Sequence, residues 1–255
     1  MKSVVYIYFL SCLCIFAGFD QSSAETKEAQ TELSIGLSAT VTTSLYKGYE
    51  KEWTPLPIVS FENDWVYIRG VATGVKIVNL EFLELSAFAA YDSTAFNAKK
   101  SRNSHLRRLD NRYSSVPAGM EVRLLTPYGM LLANGARDVL GNSRGFTGEF
   151  GYKFSLEAGP VEFIPATGMY LATAGYNKYY YGVSRKESRK SGLESYSPGS
   201  NFSPYINLTV DWEINKHWDI YCHGEIVFPG GAVSNSPMVG KSNAKGMHSG
   251  VIYSF

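Results

Sequence analysis

The sequence predicts an all-β fold, a transmembrane antiparallel β-barrel of about 12 strands, with about 10 as the alternative. Three observations predict it: an amino-terminal segment typical of a secretory signal, a period-two alternation of apolar and polar residues, and connections that alternate between very short and long. Disorder is excluded, because 14% aromatic residues supply far more burial than a disordered chain has. A net charge of +1 lacks the basic excess typical of nucleic-acid-binding proteins, so no nucleic-acid partner is expected.

Residues 1–24 predict a cleaved signal peptide. Lys2 precedes an apolar run over 4–18, and Ser22-Ser23-Ala24 places small residues before the cut. An anchor helix is the alternative, but the run is shorter than the roughly 20 residues that span a bilayer. Lipidation at Cys12 is a weaker alternative, because too few apolar residues precede the thiol. No later segment approaches a spanning helix, so residues 25–255 are expected to be either soluble or an outer-membrane barrel.

The alternation is clearest over residues 206–214. One face carries Ile206, Leu208, Val210, Trp212 and Ile214, and the other carries Asn207, Thr209, Asp211 and Glu213. Several such segments run for about nine to eleven residues, the length of a tilted strand that crosses an outer membrane, whereas soluble strands average five or six. A soluble β-sandwich would show the same alternation, so the connections must distinguish the two folds.

The connections favour the membrane barrel. Tight turns are predicted at 126–129, 157–160 and 215–217, while 92–117, 176–201 and 229–245 are long and polar. Short periplasmic turns and long external loops are the outer-membrane pattern. Aromatic residues are predicted at the inner membrane interface: Trp65, Tyr128, Trp218, Tyr253 and Phe255.

A periplasmic amino terminus and carboxyl terminus require an even number of strands. The twelve predicted strands are 32–45, 55–62, 65–70, 71–78, 80–91, 118–126, 129–138, 146–157, 160–175, 202–214, 218–228 and 246–255. The strands 55–62 and 65–70 look too short to span, so in the ten-stranded alternative 55–70 folds at the rim or into the lumen. Residues 131–137 alternate poorly, which makes this the weakest of the later strands.

The sequence predicts no enzyme, metal site or cofactor. A lipid A deacylase would need a histidine and a serine on one face, but adjacent His248 and Ser249 point to opposite faces. His223 is expected in a lumen hydrogen-bond network without a nucleophile beside it. No cysteine pair survives processing, and Cys222 is expected to face lipid in register with Trp218.

Two long loops are rich in basic residues. Lys and Arg attract phosphate, so these side chains are candidate contacts for lipopolysaccharide or other anions, and a solvated loop surface is the alternative. The candidates are Lys99, Lys100, Arg102, Arg107, Arg108, Arg185, Lys186, Arg189 and Lys190. Within the lumen, the candidate polar residues either line a pore or pair and close it: Glu84, Glu121, Arg123, Glu149, Lys153, Asp211, Glu213 and Asp219.

Short motifs carry a family resemblance over most of the mature chain. They are Tyr46-Lys47-Gly48, Pro55-Leu56-Pro57-Ile58, Tyr181-Gly182-Val183-Ser184, Glu187-Ser188, Ser191-Gly192-Leu193, Tyr196 with Pro198-Gly199, Ser236-Pro237-Met238-Val239 and Tyr253-Ser254-Phe255. In their order and spacing the chain resembles the MipA/OmpV family, the MltA-interacting outer-membrane proteins. It departs from the family where the usual acidic and arginine stretch has become Lys99-Lys100-Ser101-Arg102 and Arg107-Arg108, and where Tyr181 stands in place of the more common Phe.

The resemblance implies a non-enzymatic outer-membrane barrel. Its implied role is a scaffold that brings a lytic transglycosylase and a peptidoglycan synthase together at the outer membrane, with outer-membrane lipid as its surroundings. Some family members resemble porins, so a passive channel for small solutes is the alternative function. Because the predicted periplasmic turns are short, the docking surface is expected to be small or to include residues 25–31.

Overall fold

The computed structural model describes residues 31–255, so the predicted signal peptide 1–24 and most of the segment 25–31 lie outside the described residues. The strands are β1 (Glu32–Thr43), β2 (Lys51–Glu62), β3 (Val66–Arg69), β4 (Ala72–Leu80), β5 (Leu83–Ala90), β6 (Pro117–Thr126), β7 (Gly129–Asp138), β8 (Phe146–Lys153), β9 (Leu156–Ala158), β10 (Val161–Ala172), β11 (Asn201–Asn215), β12 (Trp218–Val227) and β13 (Ala244–Ser254). The helices are α1 (Ala174–Tyr181), α2 (Arg185–Ser191) and α3 (Gly231–Ser234).

Antiparallel pairing closes this sheet into a barrel. Each strand pairs with its neighbour along the chain, and β1 returns to β13 from the pair Ser34 and Ser254 to the pair Thr43 and Lys245. The three-residue β9 continues β8 after a break and pairs with β10, so the 13 strands make twelve passes. The twelve-stranded prediction is therefore confirmed, and the ten-stranded alternative is wrong.

The alternation places apolar side chains on the outer surface. In β1, Ile35 is 46% exposed and Leu37 is 64% exposed, whereas the intervening Ser38 and Thr40 are buried inside. In β11, the odd residues Tyr205 and Thr209 are buried in the same way. Such a surface suits lipid, because the hydrocarbon of the membrane covers the apolar side chains.

The second strand differs most from its predicted bounds. It begins at Lys51 rather than at residue 55 and has 12 residues, so the expectation that it is too short to span is wrong. The next strand, β3, is short as expected, with only four residues. The Gly70 amide donates to the Val59 carbonyl over 3.2 Å, which places the backbone groups of the odd residues of β2 on the β3 side. Above Val59 that side carries Pro55 and Pro57, which have no amide to donate, so the ladder cannot continue there.

The strand predicted over 160–175 ends at Ala172, and part of the following loop is helical. The Ser184 hydroxyl accepts from the Glu187 amide while the Glu187 carboxylate accepts from Ser184, which begins α2 with a capping box. Gly192 ends this helix with a φ of 76°, a conformation that glycine adopts without strain. Among residues 31–255, none of the helices has the length and apolar character needed to cross a membrane.

Four external connections pack together into one structure, which we call the lid: residues 44–50, 91–116, 173–200 and 228–243. Its core is formed by Leu45, Tyr46, Tyr49, Phe96, Ala98, Leu106, Leu109, Tyr180, Tyr181, Val183, Val233, Met238 and Val239. Phe96, Leu106, Tyr180 and Met238 have no exposed surface at all. The outer end of the barrel is therefore filled by a hydrophobic core of its own rather than by separate solvated loops.

A buried ion pair fastens two parts of the lid. The Arg112 Nη2 donates to the Glu187 Oε1 over 2.7 Å, and both side chains are more than 90% buried. The Arg112 Nε also donates to the Tyr179 carbonyl over 2.5 Å. Burial acts to raise the pKa of Glu187, but the hydrogen bonds from Arg112 and the Ser184 backbone outweigh it and hold this pKa below its ordinary value.

We predict that Arg112→Met loosens the lid without unfolding the barrel. Removing one member of a buried ion pair costs roughly 3–5 kcal/mol, because the other charge remains buried without its partner. Hydrogen exchange over residues 176–192 should therefore accelerate, while the barrel stays folded on heat-modifiability gels. Lys190→Met is the control, because its ion pair with Asp110 is largely exposed and such pairs contribute less than about 1 kcal/mol. Equal exchange in the two variants would contradict the prediction.

The same pair predicts the pH range over which the lid is stable. Because the folded pKa of Glu187 lies below the ordinary value of 4.5, its contribution is complete above pH 4.5 and is lost only as the pH falls through the lower folded value. Hydrogen exchange of the lid should stay constant from pH 7 down to about 4.5, after correction for the intrinsic rate, and rise below it. A corrected rate that rises between pH 7 and 5 would argue against this role of Glu187.

The lumen and the two rims as the candidate functional site

The inward residues of the strands line a lumen cavity that runs obliquely through the barrel. One row of paired residues joins Met130, the second residue of β7, to Glu52, the second residue of β2. The first lies near a short turn and the second near the opposite rim, so the strands are strongly tilted, as barrel closure requires. All eight residues of the row line the cavity: Met130, Lys153, Ala166, Asn207, Glu225, Gly246, Thr42 and Glu52.

The lumen side of β2 to β6 carries a cluster of charges. Its carboxylates are Glu62, Glu84 and Glu121, and its cations are Arg69, Lys76 and Arg123. The Arg69 Nη2 lies 2.6 Å from the Glu62 Oε1, and its Nη1 lies 3.1 Å from the Glu84 Oε1. The Lys76 Nζ lies 2.7 Å from the same Glu62 oxygen. We call these six side chains the ionic cluster; their charges balance, which makes their burial tolerable.

The ionic cluster includes three predicted lumen residues, Glu84, Glu121 and Arg123. They pair within one strand or between adjacent strands. This differs from both predicted outcomes, which were an open pore lined by these residues and a barrel closed by pairs across its lumen. Glu62, Arg69 and Lys76 were not among the predicted lumen residues. All three lie within the predicted strands 55–62, 65–70 and 71–78 and on their inward faces, so the alternation could have identified them.

The opposite side of the lumen is held by hydrogen bonds around Glu149 and His223. The Tyr205 hydroxyl donates to the Glu149 Oε1 over 2.7 Å, and the Asn134 Nδ2 donates to the Glu149 Oε2 over 3.2 Å. His223 contacts the Thr209 hydroxyl at 2.9 Å and stacks on the ring of His248 with centroids 4.6 Å apart. His223 therefore lies in a lumen hydrogen-bond network, as predicted.

The remaining predicted lumen residues differ in burial. Lys153 is 9% exposed, whereas Asp211 and Asp219 are half-buried and Glu213 is exposed near the short-turn end. Cys222 is half-buried on the outward face and pairs along the ladder with Val210 and Ser249. His248 is buried inside and Ser249 is exposed outside, so the two do not form a catalytic pair. Within the described part of the chain, no three His, Cys, Asp or Glu side chains are grouped so that they could hold a metal ion.

The lid brings the two predicted basic loops together. The His105 Nδ1 lies 2.7 Å from the Ser191 carbonyl, and the Arg108 Nη1 donates weakly to the Lys190 carbonyl over 3.5 Å. All nine candidate anion contacts are exposed. Three of them pair with carboxylates: Lys100 with Glu52, Arg102 with Glu50 and Lys190 with Asp110. The other six have no carboxylate within 4 Å in residues 31–255: Lys99, Arg107, Arg108, Arg185, Lys186 and Arg189.

The opposite end, which we call the inner rim, consists of the short turns 63–65, 81–82, 127–128, 159–160 and 216–217. Three of these turns expose large side chains: Trp65 is 71% exposed, Phe82 is 58% exposed and Tyr128 is 84% exposed. Trp218 and Phe255 are also exposed at this end. These positions agree with the predicted aromatic residues of the inner interface.

The motifs that carried the family resemblance converge in the lid. The Tyr46 hydroxyl donates to the Tyr180 carbonyl over 3.1 Å, and the Ser236 hydroxyl donates to the Tyr181 carbonyl over 2.6 Å. The Lys47 amide donates to the Met238 carbonyl over 2.9 Å. Three motifs that are distant in sequence thus form one contact region.

Comparison with known proteins agrees with this fold. The model of the family "MltA-interacting protein MipA" matches residues 35–255. The MltA-interacting protein of Escherichia coli (strain K12) is 32% identical over 234 residues, which cover 92% of this chain and 94% of the relative. The putative outer membrane protein YiaT of the same strain is 31% identical over 225 residues, 88% of this chain and 92% of the relative. Outer membrane protein OmpV of Vibrio cholerae is 25% identical over 179 residues, 70% of this chain and 66% of the relative.

Among solved structures, the NanC porin covers 87% of this chain and 98% of its own, with 9% sequence identity and a TM-score of 0.43. The relatives are named as outer-membrane proteins, and the closed twelve-pass barrel agrees with that location. The match to the family model extends from the first strand to the last residue, and the chain belongs to the family of MltA-interacting outer-membrane proteins, the MipA family.

Proposed function

We propose that this protein is a non-enzymatic scaffold of the outer membrane that docks a lytic transglycosylase at its inner rim. The difference between the two ends of the barrel carries the proposal. The outer end is filled by the lid, whereas the inner rim exposes Trp65, Phe82 and Tyr128 in turns of two or three residues. Rigid aromatic side chains on a well-held turn are typical anchors of protein interfaces.

The name of the Escherichia coli relative supports a partner of the MltA type, since that relative is called an MltA-interacting protein. A peptidoglycan synthase is the second proposed partner. The family resemblance implies it, and we propose that it docks at the same rim. The five short turns offer little area for either partner. The first strand begins at Glu32 at the same end, so residues 25–31, which precede it in the sequence, are the second proposed contact of the docking surface.

We predict that Tyr128→Ser weakens binding of a soluble lytic transglycosylase of the MltA type by about tenfold, the usual cost of removing an aromatic anchor. Binding is measured by biolayer interferometry with the full barrel in lipid nanodiscs. Tyr113→Ser is the matched control, because Tyr113 is 57% exposed in the lid at the opposite end. A parallel variant that lacks residues 25–31 tests the amino-terminal contact.

Three outcomes would count against docking at the inner rim. The first is no binding by the wild-type protein. The second is an equal loss of affinity in the Tyr113 and Tyr128 variants. The third is unchanged binding when the Tyr128 substitution and the deletion of 25–31 are combined.

A passive channel is the second candidate function, favoured by the cavity that the inward residues line. The lid opposes it, because Phe96, Leu106 and Met238 are completely buried over the outer mouth. We predict that the wild-type protein shows no stable conductance steps in planar bilayers, whereas Arg112→Met shows brief openings as the lid loosens. Stable steps in the wild-type protein, unchanged by Arg112→Met, would favour the channel instead.

We also propose that the basic surface of the lid contacts lipopolysaccharide phosphates. The observation that favours this is the contact between the two basic loops, which places Arg107 and Arg108 beside α2. A cation near an anionic lipid surface contributes about 1 kcal/mol, so Arg107→Gln should lower affinity for lipid A vesicles about fivefold at low salt and less at high salt. Lys216→Gln at the inner rim removes the same charge and is the control. Equal affinities of the two variants would favour a merely solvated surface.

A further inference from the structure

An internal cavity lies beneath α1, between the lid and the inward face of the barrel wall. It has about 840 Å³ of empty space, including the water-filled space through which it opens. Phe88, Ala90, Ala136, Val227 and Val233 supply apolar parts of its wall. It adjoins the lumen cavity, with which it shares Glu149, Tyr170 and Tyr181. Its mostly apolar wall with a few polar groups is typical of a small-molecule site.

Two buried polar atoms at this cavity have no partner. Asn177 and Tyr181 are four residues apart on α1, so they lie on the same face of the helix. Asn177 is completely buried and Tyr181 is 2% exposed. Within residues 31–255, neither the Asn177 Oδ1 nor the Tyr181 hydroxyl has a hydrogen-bond partner. An unsatisfied buried polar atom costs roughly 1–3 kcal/mol, so this pair calls for a ligand or ordered water in the cavity.

The hydrogen bonds of the Asn177 Nδ2 determine the orientation of this side-chain amide. Its Nδ2 donates to the Gly199 carbonyl and to the Asn201 Oδ1, each over 2.7 Å. The oxygen is therefore the atom left over, and it needs a hydrogen-bond donor. Burial, followed by the Asp92 carboxylate, raises the pKa of Tyr181 far above its ordinary value, so its hydroxyl stays protonated and can donate or accept.

Apart from tyrosines, the ionisable side chains around the cavity are all carboxyl groups, and burial raises the pKa of Asp92 above its ordinary value, a rise that a bound cation would oppose. Asp92 and Glu149 both line it, and no Lys, Arg or His is among its lining residues in the described chain. Asp92 accepts from the Thr94 amide and from the Tyr176 hydroxyl, each over 2.9 Å. The Thr94 side chain is a third donor to Asp92. All of these partners are neutral, and a carboxylate has about four lone-pair sites, so one remains for a further donor. The cavity is consequently matched to a cation and would repel an anion.

The aromatic wall adds a second attraction for a cation. Tyr170, Tyr176 and Tyr181 line the cavity together with Phe88. The face of an aromatic ring attracts a cation with about 0.5–2 kcal/mol, more when water is excluded. Rings also cover the apolar part of a ligand.

From these observations, we propose that the cavity beneath α1 binds a small organic cation, a primary ammonium group on an apolar body. The ammonium group donates to the Asn177 Oδ1 and lies in the field of Asp92 and Glu149, while the apolar body packs against the tyrosine rings. A zwitterion is disfavoured, because no cation in the lining would pair with its carboxylate. This site is separate from the inner rim and does not depend on docking of a transglycosylase.

The test compares three probes of nearly equal shape: benzylamine, benzyl alcohol and benzoate. Each is titrated into the full barrel in detergent micelles and followed by ligand-observed NMR. We expect benzylamine to bind at least tenfold more tightly than benzyl alcohol, and benzoate to show no binding. Similar affinities for benzylamine and benzyl alcohol would overturn the proposed ligand class, and binding of none of the probes at millimolar concentration would mean that the cavity holds only water.

Two variants connect binding to this cavity. Glu149→Gln keeps an acceptor for the Tyr205 hydroxyl but removes the charge, so benzylamine should bind at least fivefold more weakly while benzyl alcohol is unchanged. Tyr181→Phe removes the unpartnered hydroxyl and should weaken benzylamine about threefold. Glu213→Gln is the control, because Glu213 is exposed near the short-turn end and lines neither cavity, and it should change affinity less than twofold. Equal effects of Glu149→Gln and Glu213→Gln would place the amine elsewhere, and heat-modifiability gels confirm that each variant is folded.

Discussion

The structure depends on one constraint: inside a hydrocarbon layer, every backbone amide and carbonyl must find its partner within the protein. The pairing of β1 with β13 meets this constraint by leaving the sheet without a free lateral edge over most of its height. Closure makes the strands tilt and sets the side-chain alternation, because each inward residue must fit a narrow interior and each outward residue must face lipid. The period-two pattern in the sequence follows from this closure.

Once the cylinder closes, its interior must be filled or hydrated, and this protein fills its two sides differently. One side uses the ionic cluster, whose arginines and carboxylates satisfy one another along neighbouring strands. The other side uses tyrosines, histidines and Glu149, joined by hydrogen bonds. The lid completes the filling from outside with aromatic contacts such as that between Tyr46 and Phe96, whose ring centroids are 4.9 Å apart. The cavities lie between the hydrogen-bonded side of the lumen and the lid.

The alternation in β11 was strong enough to predict both the strand and its lipid face, because its inward residues are polar and its outward residues apolar. It was weaker in β7, where Met130 and Leu132 point inward and are buried, although the strand has its predicted bounds and pairs on both sides. The start of β2 was missed, because the predicted strand began at Pro55, whereas the pairing with β1 already begins at Lys51. Ser184 and Glu187 have the sequence spacing of the capping box that begins α2, but they lie in a segment that was predicted to be a long loop. The unsatisfied atoms of Asn177 and Tyr181 could not be predicted from the sequence, since they depend on which partners the folded lid brings near.

The two prolines of β2 also affect how this protein behaves beside its neighbours. An exposed strand edge is a template on which another chain can add a strand, and such edges lead to aggregation. Along the part of β2 above Val59, Pro55 and Pro57 remove two of the donors that an incoming strand would need. Where copies of the protein lie close together in the membrane, these rings therefore oppose the addition of a strand from a neighbouring copy. No additional loop is needed to cover this edge.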